Sequence, residues 1–123
     1  MRLFATKWFT RFARSERITD RALCDAIERA ERGLVDADLG RGLIKQRVAR
    51  QGQGRSGGFR VLIAYRRGVR GVFLYGYAKR ERDDIRPDEL ADWQARAHDI
   101  LAASDDLIDG NIARDNLREV HCG

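Results

Sequence analysis

Apolar residues recur along this chain with two different spacings, and the change between them sets helical flanks around a strand-rich centre. Arg2 to Ala5 holds Leu3, Phe4 and Ala5 and forms a short candidate strand. Thr6 stands where a side chain can cap a helix from Lys7 to about Ser15. Trp8, Phe9, Phe12 and Ala13 share one face of that helix and are expected in the core, while Arg11, Arg14 and Arg17 project elsewhere. Thr19 or Asp20 caps a second helix to about Arg32, with Ala22, Leu23, Ala26, Ile27 and Ala30 as its apolar face and Gly33 as its stop. Residues 34–42 (LVDADLGRG) read as a loop.

The period then shortens to two. Leu43 to Ala49 predicts a strand with Leu43, Lys45, Arg47 and Ala49 on one face and Ile44, Gln46 and Val48 on the other. Residues 50–58 (RQGQGRSGG) form a loop with four glycines and two cations, Arg50 and Arg55. No Gly-Lys-Ser/Thr ending follows, which excludes a Walker-type phosphate loop. Residues 59–66 and 71–79 predict a hairpin around Arg67-Gly68-Val69-Arg70, with Gly68 at the first central position of a two-residue turn. Pairing Arg67 with Arg70 sets Arg60 opposite Tyr77, Leu62 opposite Tyr75 and Ala64 opposite Phe73. One face then carries Arg60, Leu62, Ala64, Phe73, Tyr75, Tyr77 and Lys79. The other, apolar, carries Phe59, Val61, Ile63, Tyr65, Val72, Leu74, Gly76 and Ala78, and is expected to receive the helices.

Helical spacing returns at Pro87, a favoured first helical residue, with Asp88 and Glu89 in an acidic first turn. Leu90, Trp93, Ala97, Ile100 and Leu101 form its stripe. Residues 104–116 are acidic and interrupted by Gly110, and read as a short helical turn and a loop. Leu117 to His121 predicts a last edge strand. At 123 residues the whole reads as one α+β domain, residues 1–123.

Charge changes this picture more than composition does. Residues 1–40 carry 8 basic and 7 acidic side chains, residues 41–82 carry 12 and 1, and residues 83–123 carry 4 and 11. A strand-rich centre of net +11 requires an anionic partner or an internal counter-charge. The acidic C-terminal third could supply the second, or serve a different partner. Arg66, Arg67 and Arg70 fall at the far end of the hairpin and are expected to be merely solvated. Cys24 and Cys122 have no metal-ligand spacing and are read as separate reduced thiols. No signal-length or membrane-spanning apolar run is present, so a cytoplasmic protein without membrane contact is expected.

His98 and His121, the only histidines, lie outside the basic centre. No Ser-His-Asp set and no metal cluster is apparent, so a histidine-based or metal-activated hydrolase is not expected, and no cofactor is implied. What remains is a set of Arg, Lys and Tyr on a sheet, which suits RNA cleavage. There the ribose 2′-OH is the nucleophile, and the protein need only hold the backbone, stabilise charge at phosphorus and move protons. Aromatic rings offer platforms for unpaired bases.

The run KQRVARQGQGRSGGFRVLIAYRRG, then VFLYGYAKRERDDI and a Pro-Asp-Glu-Leu helix start, resembles the RelE/ParE superfamily of toxins from bacterial type II toxin–antitoxin modules, nearest the HigB-type branch. The opening RLFATKWFTRFAR extends the resemblance over most of the chain. It implies a small α+β RelE-like fold, a central antiparallel sheet with the N-terminal helices on one face and a C-terminal helix. It implies a ribosome-dependent, metal-independent mRNA endonuclease neutralised by a cognate antitoxin, of the helix-turn-helix HigA type, which carries the pair to operator DNA. The alternatives are a ParE-like DNA gyrase inhibitor that is not an enzyme, and an RNA-binding protein without catalysis.

By the same resemblance Arg60 in GGFR matches the central catalytic arginine on the scissile phosphate. Lys45 and Arg47 match the basic pair of the preceding strand, and Lys79 the cation after the last central strand. Arg50, Arg55, Tyr75, Tyr77, Arg80 and Arg82 are the expected RNA contacts. Unlike the best-known members, the region has no histidine, which leaves Lys45, or Glu81 after it, as the proton acceptor.

Overall fold

The computed structural model describes residues 1–50 and 58–123. The elements run β1 (Arg2–Thr6), α1 (Lys7–Ser15), α2 (Asp20–Glu31), β2 (Ala37–Gly40), β3 (Leu43–Val48), β4 (Phe59–Arg66), β5 (Arg70–Ala78), α3 (Pro87–Ala102), α4 (Asp105–Ala113) and β6 (Leu117–Val120). The strands form one sheet in the order β2-β3-β4-β5-β1-β6. Neighbours are antiparallel except β1, which runs parallel to β5. The architecture is the expected α+β one, with a single parallel pair in the sheet.

Helix boundaries follow their local chemistry. The Thr6 hydroxyl accepts from Phe9 N (3.1 Å) and that of Thr19 from Ala22 N (3.2 Å), each satisfying an orphan first-turn donor. Gly33 ends α2 at φ +83°, where a side chain would be strained. Pro87 opens α3, and Glu89 accepts from Arg86 N (3.1 Å). Two elements differ from the sequence reading. Residues 105–113 form a full helix through Gly110, because Ser104 caps Leu107 N (3.1 Å) and Ile108 is buried, which outweighs the cost of about 1 kcal/mol for an interior glycine. The supposed loop contains β2, a short edge strand whose residues lack strand propensity but pair with β3 through Ala37↔Lys45 and Asp38↔Ile44.

Two cores sandwich the sheet. Phe9, Ala13, Leu23, Ala26 and Ile27 of α1 and α2 pack on Val48, Phe59, Val61, Ile63 and Phe73. Ala97, Leu101 and Ile108 of α3 and α4 pack on Phe4, Leu43, Leu62, Val72 and Leu74. Helices therefore cover both faces.

The hairpin departs from its predicted turn in a way that cancels. Arg66 pairs with Arg70, so the loop has three residues rather than two, with Gly68 at φ +71°. Glu31 accepts from Gly68 N (3.0 Å) and fixes that loop to α2. The register then shifts between Leu62 and Ile63, leaving Leu74 as an extra residue on β5. Beyond the bulge, Leu62↔Tyr75 and Arg60↔Tyr77 stand as expected. Before it, Ala64 faces Val72 instead of Phe73, Phe73 turns to the α1–α2 layer, and Val72 and Leu74 turn to the α3 layer.

Two further expectations are corrected. Cys24 and Cys122 are joined in a disulfide, because β6 lies beside β1 and carries the C-terminus back over α2, with the Cα atoms 5.7 Å apart. Arg70 is not solvated but 8% exposed. Its Nη1 donates to Ile100 O (2.8 Å) and Ala103 O (2.7 Å), and its Nη2 pairs with Asp105 (3.0 Å), so it satisfies the carbonyl end of α3 where α4 begins. Arg70→Ala should therefore cost about 2–3 kcal/mol in urea denaturation, since it strands those carbonyls. Arg66→Ala, its exposed cross-strand partner, should stay within about 0.5 kcal/mol.

Candidate functional site

The sheet register assembles the basic residues. On β3 and β4, Arg47 stands opposite Arg60 and Lys45 opposite Leu62. On β4 and β5, Arg60 stands opposite Tyr77 and Leu62 opposite Tyr75. Alternation puts Lys45, Arg47, Arg60, Tyr75 and Tyr77 on the face shared with α3. Arg60 is 9% exposed and Tyr77 5%, so the centre is recessed rather than a solvated cation field. The Arg60 guanidinium donates to its neighbouring carbonyl, Phe59 O, at 3.4 Å.

Asp84 binds this group together and was not foreseen as a site residue. Its Oδ1 accepts from Lys45 Nζ (3.1 Å), from Ile85 N (2.8 Å) and, at a long 3.5 Å, from Tyr77 Oη. Partial burial works against its ionisation. The Ile85 N–H, the Lys45 ammonium and the Tyr77 hydroxyl outweigh that and hold the carboxyl below its ordinary range. Tyr77 moves the other way. Its burial, and then the Asp84 carboxylate, push the phenol up to about 12, against the opposing fields of Arg82 and Arg60. At neutral pH the set is therefore a carboxylate, an ion-paired Lys45 and a protonated phenol around Arg60. The sequence signal for Asp84 was only its place in Asp83-Asp84, directly after the basic strand.

The other expected residues divide. Arg82 joins the cluster from the turn after β5. It lies over the Tyr75 and Tyr77 rings (5.8 and 5.6 Å), donates to Tyr75 Oη (3.1 Å) and Asp84 O (2.9 Å), and pairs with Glu89 at the start of α3. Arg47 has its backbone opposite Arg60, but its guanidinium turns to the sheet edge and pairs with Asp36 (3.1 Å). That carboxylate also accepts from Arg47 N (2.7 Å) and from Arg29 (3.5 Å), and buried Gln46 accepts from Asp36 N (2.7 Å). Burial would raise the Asp36 pKa, but the Arg47 N–H and the two guanidinium groups keep it low. Arg50 lies over Phe59 (5.7 Å), whose side chain belongs to the α1–α2 layer, away from Tyr77. Lys79 and Arg80 are exposed in the turn after β5. Arg55 lies outside the described residues. Glu81 is exposed in the same turn, and Lys45 pairs instead with Asp84.

Aromatic residues continue the face on its α1 side. Tyr75 stacks between Trp8 (4.8 Å) and Trp93 (5.0 Å), and Trp8 also stacks on Phe12 (5.3 Å). Trp8 is 48% exposed, against its expected place in the core. The stripe on α1 is wider than the area the sheet covers, so Phe9 and Ala13 are buried and Trp8 reaches over the end of β5.

Among the described residues no group of three or more His, Cys, Asp or Glu could hold a metal ion, and no helix is long and apolar enough to cross a membrane. No curated protein and no solved structure matches the chain. A family model described as the RelE toxin of the RelE / RelB toxin-antitoxin system matches residues 1–120. With that match spanning nearly all of its length, the chain belongs to the RelE toxin family.

Proposed function

We propose that this toxin is a ribosome-dependent, metal-independent mRNA endonuclease that acts in the cytoplasm and stops translation. The observation that supports this reading most directly is the register that sets Arg60 beside Tyr77, with Lys45 and Asp84 on the same face. In the proposed reaction the ribose 2′-oxygen attacks the adjacent phosphorus, the bond to the 5′-oxygen breaks, and the products carry a 2′,3′-cyclic phosphate and a 5′-hydroxyl. Arg60 stabilises the charge that builds on the phosphoryl oxygens, the largest contribution to such a reaction. Lys45, ion-paired with Asp84, gives a proton to the leaving 5′-oxygen. Asp84, the carboxylate beside Lys45, accepts the 2′-proton. Tyr77 donates a hydrogen bond. Lys79, Arg80 and Arg55 guide the strand by its phosphates, and Arg47 adds to the field from the edge. The partners are the ribosome with its mRNA and a cognate antitoxin of the HigA-like helix-turn-helix type, through which the pair reaches operator DNA.

Arg60→Ala should abolish growth inhibition and lower cleavage by at least about 100-fold, with an unchanged circular dichroism spectrum. Mapping mRNA 5′ ends after brief expression should show cuts inside translated codons, carrying 5′-hydroxyls and dependent on translating ribosomes. Intact mRNA with arrested replication would instead indicate gyrase inhibition, and full toxicity of Arg60→Ala would remove the catalytic assignment.

Because the Tyr77 phenol lies near 12, it stays protonated wherever RNA is tested. Tyr77→Phe should lower the rate by a modest factor, about 3- to 10-fold, and leave the shape of the pH–rate profile between about pH 6 and 9 unaltered. An inflection that disappears in the variant would show that the phenol itself titrates during turnover.

A further inference from the structure

A groove of ≈ 450 Å³ opens against α2 and β1, lined by Met1, Leu3, Cys24, Ile27, Glu31 and Cys122 among others. The Cys24–Cys122 disulfide is therefore part of its wall. Cys24 is 2% exposed on α2, whereas Cys122 is exposed beyond β6. The bond joins positions 98 apart in sequence, and the loop it closes holds β2 to β6. Yet β6 has contacts of its own. It pairs with β1 from Leu3↔Val120 to Thr6↔Leu117 and buries Leu117 and Val120. Its Glu119 meets Arg2 (3.0 Å), and its Arg118 meets Asp20 (3.0 Å), one turn before Cys24 on α2. None of Lys45, Arg60, Tyr77 and Asp84 lines the groove.

We propose that this cysteine pair is a reversible thiol-exchange site, opened by a dithiol reductant through the groove, that sets how long the folded toxin survives and leaves its cationic face unchanged. The inference takes from the function proposed above only the cytoplasmic setting. There the thiol pool keeps an accessible disulfide in exchange rather than permanent. The unequal exposure of the two cysteines sets the order of attack. A thiolate of the reductant attacks the Cys122 sulfur, the S–S bond breaks, and Cys24 leaves as a thiolate that takes up a proton. The second thiol of the reductant then attacks the mixed disulfide and frees Cys122. Two electrons pass to the protein, and the dithiol becomes a disulfide. A small-molecule disulfide runs both exchanges in reverse and is itself reduced. A cross-link acts mainly on the unfolded chain, and more strongly the longer the loop it closes. The native contacts of β6 survive reduction, so the loss falls on resistance to unfolding and not on the shape of the site.

The test treats the folded full chain with dithiothreitol, a dithiol, at room temperature, followed by iodoacetamide and mass spectrometry. Cys122 should become alkylated while the circular dichroism spectrum stays constant. The thermal midpoint should fall by about 10 °C or more, and digestion by added protease should speed up at least about tenfold. Oxidised glutathione should restore both. Cys122→Ser, which leaves the buried Cys24 in place, should show the lower midpoint with or without dithiothreitol. Salt-dependent binding of an RNA strand should be the same in the oxidised and reduced forms. A bond that resists dithiothreitol until the protein is denatured overturns the exchange site. A midpoint unmoved by full reduction overturns the control of lifetime. Loss of helical signal, or of RNA binding, on reduction alone shows that the fold or the site depends on the bond, and overturns the proposal too. Absence of RNA binding in both forms removes the proposed function and leaves the thiol exchange standing.

Discussion

One extra residue on β5 governs where Tyr75 and Tyr77 point relative to Arg60. Between the hairpin loop and the site, strand pairing alternates strictly, so a loop one residue longer than the shortest turn would displace Tyr77 from Arg60 and exchange the two faces of β5. The insertion at Leu74 absorbs that residue. Phe73, before it, belongs to the α1–α2 core, and Tyr75 and Tyr77, after it, belong to the cationic face. The loop is fixed independently by Glu31, which accepts from Gly68 N, so the excess cannot be relieved at the turn. Bulges recur beside active sites because they re-aim side chains at small cost. Here the bulge restores the register of Arg60 and Tyr77.

This explains an uneven legibility of the sequence. Helix boundaries were readable because their signals are local: Thr6, Thr19 and Pro87 each act on their own first turn. The Arg60–Tyr77 pairing was also readable, but through two compensating differences, a turn shorter than the real one and no bulge. A sequence pattern cannot distinguish that from a regular hairpin, since Phe73 and Leu74 are both apolar and fit either face. The strand at Ala37–Gly40 and the helix through Gly110 are held by tertiary contacts, backbone pairing with β3 in one case and burial of Ile108 in the other, and propensity carries no trace of them. Of the site, the cations were legible as a charge excess. Asp84 was not, because it belongs by sequence to the acidic third of the chain.

That acidic third is where the sequence left two alternatives, and the contacts now separate them by residue. Asp84 meets Lys45, Glu89 meets Arg82, and Asp105 meets Arg70, so each of these carboxylates answers a cation of the basic centre. Asp109 and Glu119 meet Arg2 at the far edge of the sheet. Compensation is thus specific and local. Asp83, Asp92, Asp99 and Asp106 are exposed, with no ion pair among the described residues.

Local compensation also bears on how a recessed cationic centre is held. A charge taken out of water costs several kcal/mol unless a partner replaces the lost hydration. Lys45 meets this with a carboxylate that is itself 59% exposed, so its counter-charge stays partly in water and can be displaced. Arg70, by contrast, donates to two carbonyls at the end of α3 and pairs with Asp105 at the start of α4. Lys45 on β3 and Arg70 on β5 are therefore equally legible as charge and differ in what holds them. The difference lies in the two backbone carbonyls that fix Arg70 in addition to Asp105, whereas Lys45 is held by the half-exposed Asp84 carboxylate.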